Sequence, residues 1–149
     1  MNGACGNQFF QYAFARMIQE KNGGKLIIDY QYIHNSTTIW SGSDNLLKDF
    51  NVVPYKYVSK PRNLKLIWFY LIKAIKKVFR MKEFEKRTYS YYLWIAKHLE
   101  RFGIYFFETA YFPYRFYKNS NVIIRGYFES PKYFEEIDEK ICNELTPKR

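Results

Sequence analysis

The sequence predicts an α/β fold, and three observations carry that prediction. A glycine-bounded turn, Gly3-Ala4-Cys5-Gly6, opens a helical pattern that stops at Asn22-Gly23-Gly24. A short apolar, β-branched stretch at residues 25–30 follows it directly. A second such stretch at 122–126 leads into a second helical pattern, with Ser130 and Pro131 at its start and acidic residues in its first two turns. The chain of 149 residues fits one domain and can bury a core. With 48% hydrophobic and 26% charged residues and only seven Gly and five Pro, its composition is that of an ordered globular protein.

In the first helix, predicted over about 7–21, Phe9, Phe10, Ala13, Met17 and Ile18 are apolar, while Gln11, Arg16, Glu20 and Lys21 are polar. Residues 25–30 form the first strand, and 31–44 are polar and turn-rich. Residues 46–54 read as a short helical turn with an extended exit. Two further helices are expected at about 62–82 and 88–102, an aromatic loop at 105–117, a second strand at 122–126 and a closing helix from 130 or 131 to about 145.

Formal net charge is +10, and residues 56–103 hold all of it, with thirteen basic residues against three acidic ones. A nucleic-acid-binding domain usually spreads its positive potential over several elements, so the charge here marks a basic helical insertion within the domain. Inside it Leu64, Ile67, Trp68, Leu71, Ile75, Val78 and Phe79 recur at helical spacing, while Lys65, Lys73, Lys76, Lys77 and Arg80 tend to the other side. Two readings fit: the apolar stripe packs on the domain and the lysines are solvated, or the helix at 62–82 attaches to an anionic membrane surface. Nucleic acid is disfavoured, because no recognition motif accompanies the lysines.

The longest apolar run, 66–72, is seven residues, against the roughly 20 that a bilayer-spanning helix needs. Cys5 and Cys142 share no metal-ligand or redox spacing, and a reducing compartment suits them. The expected location is the cytoplasm, at the inner face of a membrane if the basic helix docks there.

A glycine turn entering a helix presents free backbone N–H groups and the positive end of the helix dipole to an anion or sugar. Gly3, Gly6 and Asn7 are the candidate residues. The glycines permit close backbone approach, and the Asn7 amide either donates to a ligand oxygen or serves as the helix N-cap. Gln8 is expected to hold the turn, Phe9, Phe10, Tyr12 and Phe14 to fill the core, and Arg16 to lie at the surface or to support the ligand-contacting residues from behind. Asp29, at a strand's C-terminal end, is an acceptor-side candidate with an equally available structural role. The acidic residues Glu135, Glu136, Asp138 and Glu139 read as a solvated helix turn.

Residues 6–16 resemble the GGLGNQMFQYAFAR stretch near the start of family 11 glycosyltransferases, the α-1,2-fucosyltransferases. The strand ending at Asp29, residues 47–52, and residues 126–134 (GYFESPKYF, similar to the family's GYWQSEKYF) follow in the family's order. Ala4, Cys5, Glu129 and Pro131 depart from that pattern. The resemblance implies the N-terminal Rossmann-like half of a GT-B-type enzyme that transfers L-fucose from GDP-fucose, with inversion and without a metal or other cofactor, to the 2-hydroxyl of a galactoside. It places Gly3, Gly6 and Asn7 on the donor side. In that family a later HxRxGDY motif supplies the diphosphate-binding arginine; these 149 residues hold no such motif, so the expectation is an N-terminal fragment inactive alone. A different GDP-fucose-dependent fucosyltransferase, of the protein O-fucosyltransferase kind with a similar Gly-Asn-Gln turn, and a non-catalytic basic module for membrane or nucleic acid are the alternatives. The residues do not identify a catalytic base.

Overall fold

The computed structural model describes residues 5–29, 45–58, 67, 70–71, 74, 86–107, 111–119 and 121–149. Helix α1 (Cys5–Asn22) leads through Gly23 and Gly24 into strand β1 (Ile27–Asp29). Gly23 lies at φ 70° and its N–H bonds to the Gln19 carbonyl at 2.7 Å, so glycine ends the helix in the left-handed conformation that other residues resist. A 3-10 turn at Leu46–Asp49 and an extended exit precede β2 (Lys56–Val58), which lies parallel to β1 with Ile28 opposite Tyr57. Helix α2 (Lys86–Leu99) runs through a 3-10 turn into β3 (Ile104–Phe107), and β4 (Ile123–Gly126) pairs parallel to it. Two 3-10 turns at 131–133 and 135–137 then lead to α3 (Asp138–Glu144). The described residues are thus α/β, with two separate two-stranded parallel sheets.

Helix α1 lies between two hydrophobic clusters, and its sequence explains why. Phe14 and Ile18, one helical turn apart, enter a cluster with Ile95, Ala96 and Leu99 of α2, Ile104, Tyr105 and Phe106 of β3, and Phe112, Tyr114, Phe128 and Tyr133. Tyr12 and Ala13 face the other way, toward Leu26, Ile28, Leu47 and Ile141. A helix clamped on both sides buries polar residues that an amphipathic surface helix would leave in water. Gln11 is buried, and so is Arg16, which excludes the surface position that was one of its two expected places.

Arg16 is 5% exposed, and both its Nε and Nη2 bond to the Glu144 carboxylate at 2.8–3.1 Å. Its Nη1 donates to Gln19 and Nη2 also to Glu20, which in turn accepts from Lys140. The Tyr12 hydroxyl donates to Glu144 and accepts the Val53 N–H at 3.1 Å. Hydrogen bonds to Glu144 raise the Arg16 pKa above its ordinary value, and burial followed by the Glu144 bond raises that of Tyr12. This network joins α1, the 45–58 segment and α3. A backbone seam from Lys148 N to Asp49 O and from Asn51 N to Thr146 O extends it along the chain's last residues.

Several elements differ from the sequence expectation for identifiable reasons. Helix α1 already includes Cys5 and Gly6, ahead of the expected start at Asn7, because Gly6 takes no positive φ and continues the helix. The expected aromatic loop begins as strand β3, since Ile104, Tyr105 and Phe106 are all buried and pair with β4; residues 111–119 are irregular as expected. The closing helix breaks into two 3-10 turns and a seven-residue α3. Tyr133 must reach the cluster around Phe14, whereas Ile137 and Ile141 join the cluster around Tyr12, and one continuous helical face does not serve both. Ser130 is extended and its side chain makes no cap bond. Both ends of the basic segment belong to the framework: β2 pairs with β1, and α2 supplies Ile95, Ala96 and Leu99 to the core. Of the predicted helix at 62–82, residues 67, 70, 71 and 74 are helical and the remainder lies outside the described residues.

Arg16→Met leaves the Glu144 carboxylate without its main partner, so urea denaturation should show a loss of about 3 kcal/mol, and Arg16→Met with Glu144→Leu should recover part of it. Glu100 supplies a pH test. It is 2% exposed and accepts the Arg115 N–H at 2.8 Å, yet burial raises its pKa above the usual carboxylate value. The folded state therefore holds this proton to higher pH than the unfolded chain does, and stability from this group falls as pH rises from the ordinary carboxylate value through the raised one. Glu100→Gln keeps an acceptor for Arg115, and its urea midpoint should lack that component of the decline.

Candidate functional site

The first turn of α1 is the candidate site, and its residues divide sharply by burial. Gly6 is exposed and Asn7 half-buried, whereas Gln8 is fully buried. A Cβ built on Gly6 would meet nothing within 4 Å. Its φ is not positive, so among the described residues neither backbone geometry nor packing at that point calls for glycine. Glycine in a helix costs roughly 1 kcal/mol relative to alanine, and an open surface at this position suits close approach by something outside the chain. Asn7 stands at the third helical position and is not the N-cap, which removes the structural reading that its residue type suggested. Gly3 lies outside the described residues.

Gln8 does not hold the turn. Its amide nitrogen and oxygen are buried and have no hydrogen-bond partner among the described residues, an arrangement that costs about 1–3 kcal/mol for a sealed polar group. The aromatic residues behave as expected: Tyr12 and Phe14 are fully buried, while Phe9 and Phe10 are half-buried against Phe50 (4.9 Å between centroids) and Phe134 (6.1 Å). Asp29 is half-buried at the C-terminal end of β1, opposite Val58. Glu135, Glu136, Asp138 and Glu139 are all exposed, and Glu136 pairs with Lys21 at 2.9 Å. No group of three or more His, Cys, Asp or Glu among the described residues is arranged to hold a metal ion.

The 126–134 stretch reaches the site through the body of α1. Phe128 stacks on Phe14 with centroids 4.2 Å apart and planes 20° from parallel, and Tyr133 meets Phe14 edge-on at 5.0 Å. Phe128 has φ 53°, a left-handed conformation that costs a bulky residue about 1–3 kcal/mol unless its surroundings hold it there. Gly126, at φ 154°, turns the chain out of β4 so that the ring can enter the cluster, and only glycine reaches that angle without strain. The Tyr133 hydroxyl accepts the Phe112 N–H at 2.7 Å and so ties the irregular aromatic segment to the same unit. Burial pushes the Tyr105 hydroxyl up to about 12, and Tyr114 also rises. Neither is poised for proton transfer near neutral pH.

Sequence pattern pointed to Gly6, Asn7 and Asp29, but the special positions of Gln8, Arg16 and Phe128 were hidden. A buried glutamine, a buried arginine and a left-handed phenylalanine leave no distinctive spacing. No protein-family model, curated protein or solved structure matches this chain.

Replacing the Gln8 amide by an apolar group of similar size removes two unpartnered polar atoms. Gln8→Leu should therefore raise the urea midpoint, by about 1 kcal/mol in stability. A fall in stability would show that the amide is bonded in solution, for example to a buried water.

Proposed function

We propose that this chain is part of a fucosyltransferase of the α-1,2 kind and contributes the donor-side glycine turn. One observation carries the reading: the two stretches that resemble family 11, at 6–16 and 126–134, pack on each other through Phe14, Phe128 and Tyr133. Sequence pieces 120 residues apart that resemble one family in order, and also form one packed unit, are more than a pair of local likenesses. The open surface at Gly6 adds to this support.

In this reading the exposed turn of α1 approaches the diphosphate or fucose of GDP-fucose. The N–H groups of a helix's first turn and the positive end of its dipole complement negative charge on the departing GDP, and the Asn7 amide donates to an oxygen of the donor. The acceptor's 2-hydroxyl oxygen forms the new bond to the anomeric carbon as the bond to the diphosphate breaks, and the electron pair leaves with GDP. The hydroxyl proton passes to a base that the described residues do not identify. Asp29 is the acceptor-side candidate on position alone. The donor is a nucleotide sugar and the acceptor a galactoside; no metal or other cofactor enters the proposal.

Isothermal titration with GDP-fucose, and with GDP-mannose as control, tests the reading. Binding should favour GDP-fucose and fall about tenfold or more in Asn7→Ala, the loss of one charge-assisted donor. Gly6→Ala should weaken binding while raising the stability of the free protein by roughly 0.5–1 kcal/mol. Equal heats for the two nucleotide sugars, or unchanged binding in both variants, would overturn it.

A further inference from the structure

One buried acid plays no part in the proposed reaction. Glu100 lies in the 3-10 turn between α2 and β3, is 2% exposed, and accepts the Arg115 N–H at 2.8 Å. The groups that face it are Lys97 of α2, Arg101 of the same turn, Tyr105 of β3, and Tyr114 and Arg115 of the irregular 111–119 segment. Lys97, Arg101 and Arg115 are exposed, and none of them forms an ion pair with Glu100 among the described residues. The Tyr105 and Tyr114 hydroxyls are buried without a hydrogen-bond partner there, so they do not donate to the carboxylate. An acid this buried, met by one N–H and no paired cation, is cheaper to keep neutral than charged.

The segment on the other side of that hydrogen bond has no ladder to hold it. Residues 111–119 form neither helix nor strand. The Arg115 N–H to Glu100 and the Phe112 N–H to Tyr133 tie their backbone to the body, while Phe112, Tyr114 and Phe116 pack in the cluster around Phe14. Segments of this kind open locally at lower free energy than helices and paired strands. We infer that Glu100 is a pH-sensitive latch on the 111–119 segment: the neutral acid holds the segment closed over the Phe14 cluster, and ionisation loosens it. Closing buries the carboxyl and opening returns it to water, so the closed state holds the proton more tightly. Burial accordingly raises the Glu100 pKa above the ordinary carboxylate value, outweighing the Arg115 N–H and the three cations, which favour the charged form. The stability of the closed state is full below the ordinary value and declines as pH rises through the raised one. Burial also raises Tyr105 and Tyr114, so neither hydroxyl ionises in that range. The latch acts on one segment, away from the framework that Arg16 and Glu144 hold, and owes nothing to the transferase reading.

The test is hydrogen–deuterium exchange of the full chain, read by mass spectrometry on peptides from 111–119 and from α1, and corrected for the intrinsic effect of pH on exchange. Protection of 111–119 should fall about threefold or more between about pH 5 and pH 8, while that of α1 stays constant. Glu100→Gln keeps a neutral acceptor for Arg115 and should hold the low-pH protection throughout. Lys97→Gln with Arg101→Gln, both at exposed sites, should enlarge the fall, because the closed ionised state loses two favourable charges. Protection of 111–119 that does not change with pH, or an equal fall in α1, would overturn the inference. So would the parent's fall persisting in Glu100→Gln, or an unchanged fall in the Lys97 and Arg101 double variant.

Discussion

The paired Arg16 and Glu144 side chains are the constraint on which this arrangement depends. A guanidinium 5% exposed must have its charge and its donors met within the protein, and Glu144, Gln19 and Glu20 meet them. Glu144 is carried on a seven-residue helix that is too short to be stable on its own. The pair therefore fixes α3 against α1, and Tyr12 adds the 45–58 segment through the Val53 N–H. The seam between 49–51 and 146–148 follows from that placement.

The other flank of α1 is held by aromatic packing rather than charge. Phe14 touches Tyr105, Tyr114, Phe116, Phe128 and Tyr133, so one ring joins α1 to β3, to the irregular 111–119 segment and to the turn after β4. Each such pair contributes about 0.5–1.5 kcal/mol beyond its buried area, which is enough to hold Phe128 in its unfavourable backbone conformation. Because α1 is immobilised along its body, its first turn is presented from a rigid element. That is the condition under which an exposed glycine and a half-buried asparagine can act at a defined position.

Charge and core are interleaved in the basic segment. Residues 95, 96 and 99 of α2 are buried in the cluster around Phe14, while Lys97 and His98 between them remain at the surface. Trp94, 56% exposed, packs on the His98 ring at 4.2 Å, and the His98 Nδ1 lies 2.8 Å from the Trp94 carbonyl. Helical periodicity lets a single segment serve the framework with one face and present cations with the other. Ile67, Tyr70, Leu71 and Ala74 are helical as well, and all four are exposed.

The helix ending at Gly23, the strands at 27–29 and 123–126, the turn at 46–49, the helix near 88–102 and the concentration of positive charge between 56 and 103 are legible in the sequence. These depend on local chemistry: glycine's tolerance of positive φ, short β-branched runs and the spacing of apolar residues. Candidate residues at the start of α1 were legible for the same reason, since glycine and asparagine at a helix start are a local pattern. Packing between distant segments buries Arg16, forms β3 within an aromatic run, breaks the closing helix at Phe134, and leaves Gly6 open while sealing Gln8. Each of these turns on what lies on the far side of a residue. Arg16 is buried because Glu144, 128 positions away in the chain, comes to meet it, and no spacing along the sequence encodes that encounter.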